Sequence, residues 1–251
     1  MEIIATSKFS VYEYPIVSPY ANNQPKSFDA NLLQLQQQGY VVLPDCISEN
    51  DQLALRTTFQ RLLLSIQNSY DVSDDGFESL DREVWSIARL PRIGNGKHNM
   101  HFDAFESQHH AILADLVHTS GVIQLLRGYL GSSVQLRETG LSVTRPCIKG
   151  VSGDGMEWHS DGSEGECTML MSIDDISPIT GSLCISPASQ LEYKLGEGHT
   201  QIDSQAHDQR MLVSHYQSGS PVIIDARTLH KVTPNNSTSW RFVVWFIFDS
   251  Y

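Results

Sequence analysis

The second half of the chain consists of short runs of β-prone residues separated by turn residues. From Val134 onward the runs are VQLRETGLSVTR, CTMLMSID, GSLCIS, SPVIID and RFVVWFIF, with Gly, Pro, Ser and Asn between them. Short strands at this spacing are typical of antiparallel sandwiches and barrels. The sequence therefore predicts a β core over residues 133–251.

The first half has a mostly helical pattern. In SFDANLLQLQQQGYVVLP an apolar helix face precedes Gly39, which suits a helix C-terminus, and the β-prone YVVL follows. Further helices are predicted after Ser48 and in SQHHAILADLVH and SGVIQLLRGYLG. Residues 27–132 are therefore predicted to be mostly helical support, and the proline-containing segment 1–26 an extended arm. We expect one domain over 1–251, mainly β with flanking α-helices.

Charge and composition narrow the class of partner. The 251 residues can bury one sizeable core, and the formal net charge is -12 without a long Lys/Arg run. This balance disfavours nucleic acid and anionic membranes and favours a small-molecule substrate. The four cysteines form no CxxC pair, the first residues lack a basic stretch followed by an apolar one, and no apolar run approaches about 18 residues. We expect a soluble, cytoplasmic monomer or homodimer.

The segment EWHSDG carries the first candidate metal ligands. His159 and Asp161 are two positions apart, so an extended backbone directs both side chains to one side. This pattern alone is weak, because HFD at 101–103 repeats it. Among the later histidines only His230, in SPVIIDARTLHKV, borders two β-like runs. Two imidazoles and one carboxylate form the facial set of non-haem Fe(II), with zinc as the alternative.

Arg241, the first residue of the apolar run RFVVWFIF, indicates that an anionic group lies nearby. An arginine that enters a buried strand requires an anionic partner, because an unpaired guanidinium in the interior is costly. The carboxylate of a ligand would satisfy it through bidentate hydrogen bonds. A structural salt bridge to an acid such as Asp225 is the other interpretation.

Together these residues resemble the phytanoyl-CoA dioxygenase-like family of Fe(II)/2-oxoglutarate-dependent oxygenases. HxD at 159–161, His230 and Arg241 match the family's order and distal spacing. LQQQGYVVLPDCIS resembles its opening elements, TRP at 144–146 its Lys/Arg-Pro segment, and GSLCISPASQ its Gly-x-Leu, Pro-Gly-Ser-His stretch. The resemblance covers roughly residues 28–248.

The resemblance implies a double-stranded β-helix core, a jelly-roll (cupin-like) variant. It implies that His159, Asp161 and His230 bind Fe(II), that 2-oxoglutarate chelates the metal, and that Arg241 holds its far carboxylate. The reaction would use O2, convert 2-oxoglutarate to succinate and CO2, and oxidise, most often hydroxylate, an unactivated C–H bond of a metabolite. Desaturation, epoxidation and ring formation start from the same oxidant and remain alternatives.

Some residues depart from the family pattern. Gln190 stands where a histidine is frequent, and Val232 where a serine is frequent, so we expect Thr233 to supply that hydroxyl. A related group of halogenases lacks the carboxylate of HxD, and Asp161 therefore argues against halogenation.

Further pocket residues follow from alternation in VQLRETGLSVTR. If that strand is regular, one face carries every second residue from Gln135 to Arg145, including Arg137, Thr139 and Leu141. We expect Arg145 and Leu141 near 2-oxoglutarate and Arg137 and Thr139 near the substrate, with a solvated outer face as the alternative. Two more substrate candidates come from other segments: Arg89 and Trp158, the latter with core packing as its alternative role.

Two other classes of protein remain open. One is a jelly-roll protein that binds metal without turnover. The other is a zinc hydrolase, with Glu157 or Glu166 as the general base beside a metal-bound water. The zinc hydrolase leaves Arg241 without a role.

Overall fold

The computed structural model describes residues 27–44, 46–57, 60, 91–93, 99–102, 121–144, 157–162, 164–192, 204–213 and 217–250. Its helices in these segments are α1 (Phe28–Gln38), α2 (49–57), α3 (Val122–Leu130) and α4 (Ser204–Gln209), and a 3-10 turn spans Ser189–Leu191. Its strands are β1 (Tyr40–Val42), β2 (Pro91–Ile93), β3 (Asn99–Phe102), β4 (Val134–Thr144), β5 (Glu166–Ser172), β6 (Leu183–Ile185), β7 (Leu212–Val213), β8 (Val222–Asp225), β9 (His230–Val232) and β10 (Arg241–Ser250). The predicted arm 1–26 lies outside the described residues.

The strands form two antiparallel sheets. The large sheet has the order β1-β8-β5-β10-β4-β3-β2, and the small sheet the order β7-β6-β9. Apolar side chains of the large sheet, among them Val42, Leu170 and Ile224, pack against Leu183 and Ile185 of the small sheet. The sheets therefore face each other across a shared interior. The region 27–132 is not only helical support, because β1 forms one edge of the large sheet and β3 and β2 are its last two strands at the other edge.

Helices cover the other face of the large sheet. Val244, Phe246 and Phe248 alternate along β10 and are fully buried in one cluster with Leu35 of α1 and Leu126 of α3. This alternation follows from the period of two in a strand, which sends every second side chain to the same face. None of the helices in the described segments combines the length and hydrophobicity that crossing a bilayer requires.

The turn from α1 into β1 depends on a glycine, as the sequence predicts. The helix is capped at its start by Ser27, whose Oγ accepts a hydrogen bond from the backbone N–H of Ala30, and at its end by Gly39 with φ 75°. A Cβ at position 39 would overlap both Thr228 Oγ1 and Gln190 Oε1. Gly39 therefore supplies a left-handed turn and a close approach that place β1 beside β8.

A β-bulge in β4 changes which residues face the interior. Ile247 of β10 lies opposite Glu138, but Phe248 lies opposite Leu136, so Arg137 is an extra residue. The regular alternation predicted from Gln135 to Arg145 is therefore wrong. Thr139 and Leu141 lie opposite Phe246 and Val244, on the face that the helices cover.

The interior face of β4 consequently carries other residues. Gly140 and Ser142 lie opposite Trp245 and Val243, which belong to the same face of β10 as Arg241. Leu141, expected near 2-oxoglutarate, is instead fully buried in the core beneath the helices.

Candidate metal centre

His159 and His230 are joined by a short backbone bridge. The N–H of His159 donates to the carbonyl oxygen of His230 at 3.0 Å, and the N–H of His230 donates to that of His159 at 2.9 Å. His230 begins β9 and lies opposite Ile185 of β6. The bridge therefore extends the small sheet by one residue pair and brings the two ring centroids to 4.4 Å.

Asp161 is held in place by the turn after β8. The backbone N–H groups of Asp161 and Gly162 both donate to the carbonyl oxygen of Ala226, at 2.9 and 3.1 Å. The carboxylate of Asp161 then lies 3.8 Å from His159 Nε2 and 3.5 Å from His230 Nε2. One ligand atom from each of the three residues fits within 4.8 Å of the others. The structure therefore brings the three predicted ligands together.

Hydrogen bonds orient both imidazoles. His159 Nδ1 lies 2.8 Å from the carbonyl oxygen of Glu157, and His230 Nδ1 lies 3.0 Å from that of Thr228. A carbonyl oxygen only accepts, so in the neutral ring the proton is on Nδ1 and the lone pair is on Nε2. Both Nε2 atoms are thus prepared to coordinate a metal, as metal-binding histidines usually are.

The donor set fits Fe(II). Two imidazole nitrogens and one carboxylate on one side of the metal leave the other positions open for small ligands. His230 is buried, whereas the side chains of His159 and Asp161 are 35% and 30% exposed, so the site is accessible from one side. Within the segments that the structure describes, His159, Asp161 and His230 form a group of side chains that could hold a metal ion.

Arg241 and Thr233 lie together at the other end of the small sheet. Arg241 is buried, and its Nη1 donates to the carbonyl oxygen of Gly181 at 2.6 Å. Thr233 Oγ1 accepts the backbone N–H of Ser182 at 2.7 Å, one residue beyond the pairing of Leu183 with Val232. The strand β9 thus leads from the candidate ligand His230 toward this arginine.

The structure rules out the interpretation that Arg241 forms a salt bridge with Asp225. Asp225 lies opposite Cys167, which lies opposite Phe248, so it is level with the far end of β10. Seven residues separate Phe248 from Arg241, or about 23 Å of strand. Asp225 instead accepts hydrogen bonds from Tyr129 at 2.5 Å and from Arg227 at 2.7 Å.

The structure places several predicted substrate residues away from the triad. Trp158 is buried against Cys184 and Met211, which agrees with its packing alternative. Arg137 forms ion pairs with Glu166 and, at 3.6 Å, with Asp249. The substrate candidate Thr139 lies on the helix-covered face, and so does Leu141, which is predicted near 2-oxoglutarate. Arg89, a substrate candidate, and Arg145, predicted near 2-oxoglutarate, lie outside the described residues.

The ion pair at Glu166 also weighs against the zinc hydrolase. A general base must be free to take a proton from the metal-bound water. The hydrogen bond from Arg137 instead engages the carboxylate of Glu166 and raises the pKa of the arginine. Glu157 contributes its backbone carbonyl oxygen, which accepts from His159.

Several supports of the site could not be found from sequence patterns. Glu157, Gly181, Ala226 and Thr228 act through their carbonyl oxygens, which every residue possesses. Among these four, only position 181 has a residue type that reflects its role. Its φ of 94° favours glycine, and the sequence has glycine there. Gln190, at the position where the family often has histidine, donates from Nε2 to the carbonyl oxygen of Gln36 at 3.2 Å and so ties the 3-10 turn to α1.

Comparisons with known proteins agree with this geometry. The family model of phytanoyl-CoA dioxygenase (PhyH) matches residues 35–243. Ectoine dioxygenase from Nocardia farcinica (strain IFM 10152) is 25% identical over an alignment of 170 residues, with 56% of this chain and 56% of that protein covered. The aligned part therefore spans little more than half the length of this curated relative.

Solved structures show the same fold at low sequence identity. The non-heme alpha ketoglutarate dependent epimerase SnoN from nogalamycin biosynthesis has a TM-score of 0.65 and 14% identity, with 90% of this chain and 82% of that chain covered. EctD from S. alaskensis, solved with 2-oxoglutarate and 5-hydroxyectoine, has a TM-score of 0.61 and 18% identity, with 94% and 80% covered. The predicted jelly-roll core is confirmed.

The family model covers most of the chain, from the middle of α1 into β10, and includes all three triad residues and Arg241. The family predicted from the sequence is therefore confirmed, and this chain belongs to the phytanoyl-CoA dioxygenase family.

Proposed function

We propose that this protein is an Fe(II)- and 2-oxoglutarate-dependent oxygenase that hydroxylates an unactivated C–H bond of a small-molecule metabolite. In this reaction 2-oxoglutarate and O2 yield succinate, CO2 and the oxidised product. The observation that carries the proposal is the convergence of His159, Asp161 and His230 within 4.8 Å. Family membership and the likeness to EctD, whose structure holds 2-oxoglutarate and 5-hydroxyectoine, support it.

His159, Asp161 and His230 would hold the iron. Iron with 2-oxoglutarate and O2 supplies the oxidising power of the reaction, and the protein supplies ligands, orientation and exclusion of water. The carbonyl oxygens of Glu157 and Thr228 keep both Nε2 lone pairs directed at the metal. Since Asp161 is the one anionic ligand of a divalent ion, the site keeps a net positive charge, which favours the binding of an anionic co-substrate.

Arg241 and Thr233 would hold the far carboxylate of 2-oxoglutarate. The hydrogen bond to the Gly181 carbonyl oxygen at 2.6 Å fixes one edge of the guanidinium. A guanidinium binds a carboxylate through parallel hydrogen bonds, and burial strengthens the attraction because little water screens it. Thr233 belongs to the same surroundings, since its backbone carbonyl oxygen borders the space at Gly181 that Arg241 Nη1 occupies.

The type of oxidation at the substrate carbon depends on the groups of the substrate that lie next to the oxidant. Hydroxylation adds an oxygen atom, desaturation and ring formation each remove two hydrogen atoms, and epoxidation adds oxygen across a double bond. Product mass therefore distinguishes hydroxylation from desaturation. The interior face carries Val243 and Trp245 of β10 and Ser142 of β4. If the substrate binds against this face, the mixture would suit a compact molecule of mixed polarity.

The decisive experiment is anaerobic addition of Fe(II) and 2-oxoglutarate to the purified protein, followed by visible spectroscopy. We expect a weak charge-transfer band that requires both additions, absent with zinc and absent in His159→Ala. Such a band would justify a screen of metabolites by succinate release. Folded protein that binds stoichiometric iron but gives no band with 2-oxoglutarate would overturn the proposal and favour a metal-binding jelly-roll protein without turnover.

A further inference from the structure

A single carboxylate oxygen connects the neighbours of both histidine ligands. Trp158 precedes His159 and Lys231 follows His230, so alternation turns both side chains to the outer face of the small sheet. There Asp208 Oδ1 accepts hydrogen bonds from Trp158 Nε1 at 3.0 Å and from Lys231 Nζ at 2.5 Å. Asp208 belongs to α4, far from both segments in sequence.

The two donors also contact each other. Lys231 Nζ lies 4.7 Å from the centroid of the Trp158 ring, within the range of a cation–π interaction. Trp158 is buried in a small cluster with Cys184 and Met211, behind the small sheet. Movement of the indole would therefore disturb the packing of the sheet that carries His230.

Asp208 itself is held by its neighbours along the chain. His207 is buried, and its Nδ1 lies 2.9 Å from Ser186 Oγ, which directly follows β6. Arg210 donates from Nε to the same Ser186 oxygen at 2.9 Å and binds Glu192 through two hydrogen bonds. The residues on both sides of Asp208 are thus anchored to the end of β6, and the carboxylate has a defined position relative to the small sheet.

The segment that carries His159 is attached to Ala226 on the C-terminal side of this histidine, through Asp161 and Gly162, and the contact with Asp208 adds an attachment on its N-terminal side. Its pairing with β9 is an isolated bridge of one residue pair, not a continuous strand. A single bridge allows rotation about its axis, and rotation would change the distance between the two Nε2 atoms. The contact of Asp208 with Trp158 and Lys231 joins the same two segments on the opposite face and opposes that rotation.

We propose, on the basis of the oxygenase function proposed above, that Asp208 is a positioning residue that sets the geometry of the two imidazole ligands through Trp158 and Lys231. It is not one of the three candidate ligands, and it acts through their sequence neighbours. Desolvation raises the pKa of its carboxyl, but the hydrogen bonds from Lys231 and Trp158 outweigh this, and the net pKa lies below its usual range. The carboxylate is therefore ionised at neutral pH and accepts from both donors.

We expect substitution of Asp208 to weaken Fe(II) binding more than it destabilises the fold. The side chain of Asp208 is 41% exposed, and ion pairs at that exposure contribute little to folding. Residues that support metal ligands from outside the coordination shell typically change metal affinity by about 10–100-fold when they are removed. We expect Asp208→Ala to weaken Fe(II) binding by roughly tenfold.

The test compares Fe(II) titrations of the full chain with and without substitutions. Asp208→Ala removes both hydrogen bonds, Asp208→Asn keeps an acceptor oxygen without the charge, and Trp158→Phe removes only the indole N–H. The matched control is Asp174→Asn, which weakens an ion pair of similar exposure with Arg56 and involves neither Trp158 nor Lys231. We expect weaker Fe(II) binding and a shifted charge-transfer band in Asp208→Ala, a smaller change in Asp208→Asn, and wild-type values in the control.

Circular dichroism and the unfolding midpoint show whether each variant keeps the wild-type fold. A loss of iron affinity in a variant that is folded like the wild type indicates a positioning role. Wild-type iron affinity and an unchanged band in Asp208→Ala would overturn the proposal. So would an equal loss of iron affinity in Asp174→Asn, because it would indicate that loss of any surface ion pair weakens iron binding. If Asp208→Ala does not fold, Trp158→Phe decides in the same way. Failure of the wild-type protein to bind Fe(II) with 2-oxoglutarate would instead count against the proposed function.

Discussion

Arg241 donates from Nη1 to the carbonyl oxygen of Gly181 at 2.6 Å, and Gly181 leaves the space that this guanidinium occupies. A Cβ at position 181 would overlap Nη1 and lie 2.7 Å from the carbonyl oxygen of Thr233. The φ of Gly181 is 94°, which L-residues rarely adopt. The orientation of the arginine therefore depends on the absence of a side chain in a neighbouring strand connection.

Gly181→Ala should impair co-substrate binding. Strain at such a backbone position costs about 1–3 kcal/mol, and relief of the overlap would displace the guanidinium. We expect the 2-oxoglutarate concentration for half-maximal charge-transfer absorption to rise about tenfold, equivalent to about 1.4 kcal/mol. Gly121→Ala is the matched control, because Gly121 also has positive φ but has open space around it. Equal affinities in Gly181→Ala and wild type would contradict the role of this contact.

Arg241→Ala should raise the requirement for 2-oxoglutarate and leave iron binding nearly intact. Charge-assisted hydrogen bonds contribute about 1.5–3 kcal/mol each, so loss of the guanidinium should weaken co-substrate binding at least about tenfold. Arg241→Lys should recover only part of this, because an ammonium cannot form the bidentate arrangement. Separate titrations with Fe(II) and with 2-oxoglutarate measure both effects. An unchanged co-substrate titration would exclude Arg241 from the binding site.

His159→Ala and His230→Ala should each abolish iron-dependent succinate formation while the fold survives. Either change removes one of the three ligand atoms that lie within 4.8 Å of one another. The apolar clusters that pack the two sheets do not include either side chain, so circular dichroism should remain that of the wild type. Wild-type rates in either variant would remove that residue from the ligand set.

Gly39→Ala should destabilise the whole domain. The new Cβ would meet Thr228 Oγ1 and Gln190 Oε1, and the φ of 75° adds backbone strain. We expect a loss of about 2–4 kcal/mol in the free energy of unfolding from the combined strain and overlap. Urea denaturation measures it, and Gly121→Ala, with φ 79° and open space, reports the strain alone. A similar loss in both variants would show that the overlap is relieved without cost.

Cys184 should react slowly with alkylating reagents in the native protein. Burial raises the pKa of its thiol to about 11, although Lys231 nearby acts to lower it. The thiolate is the reactive form, so the rate at pH 8 should be far below that in urea and should increase toward pH 11. Because the folded pKa is raised, the thiol's contribution to stability is complete below about 8.5 and is lost as pH rises through 11. Peptide mass spectrometry after timed alkylation measures the rate, and equal rates in native and unfolded protein would contradict the prediction.

Local patterns in the sequence predicted the helices and strands that are determined by residues close together in the chain. The helix that ends at Gly39, the strand at 40–42 and the long final strand follow from periodicity and turn chemistry, and the structure has all three. The residue types and order of His159, Asp161, His230 and Arg241 likewise pointed to the family, which the family model confirms. These features are readable because the chemistry of each resides in its own side chain.

Only the tertiary structure decided which face of β4 is turned inward. The bulge at Arg137 arises in the pairing with Ile247 and Phe248 of β10, and no feature of VQLRETGLSVTR alone indicates it. Because a one-residue shift exchanges the two faces of a strand, Leu141 lies in the core and Gly140 and Ser142 face the interior. An expectation based on regular alternation fails beyond such a bulge.

The contact of Asp208 with Trp158 and Lys231 likewise exists only in three dimensions. Its residues come from three segments that are distant in the chain, and none of them belongs to a motif with a characteristic spacing. The sequence by itself determined the chemical groups available to this protein, because those are properties of single residues. The folded structure determined their separations and orientations, because hydrogen bonding between segments is set by how the two sheets and α4 pack together.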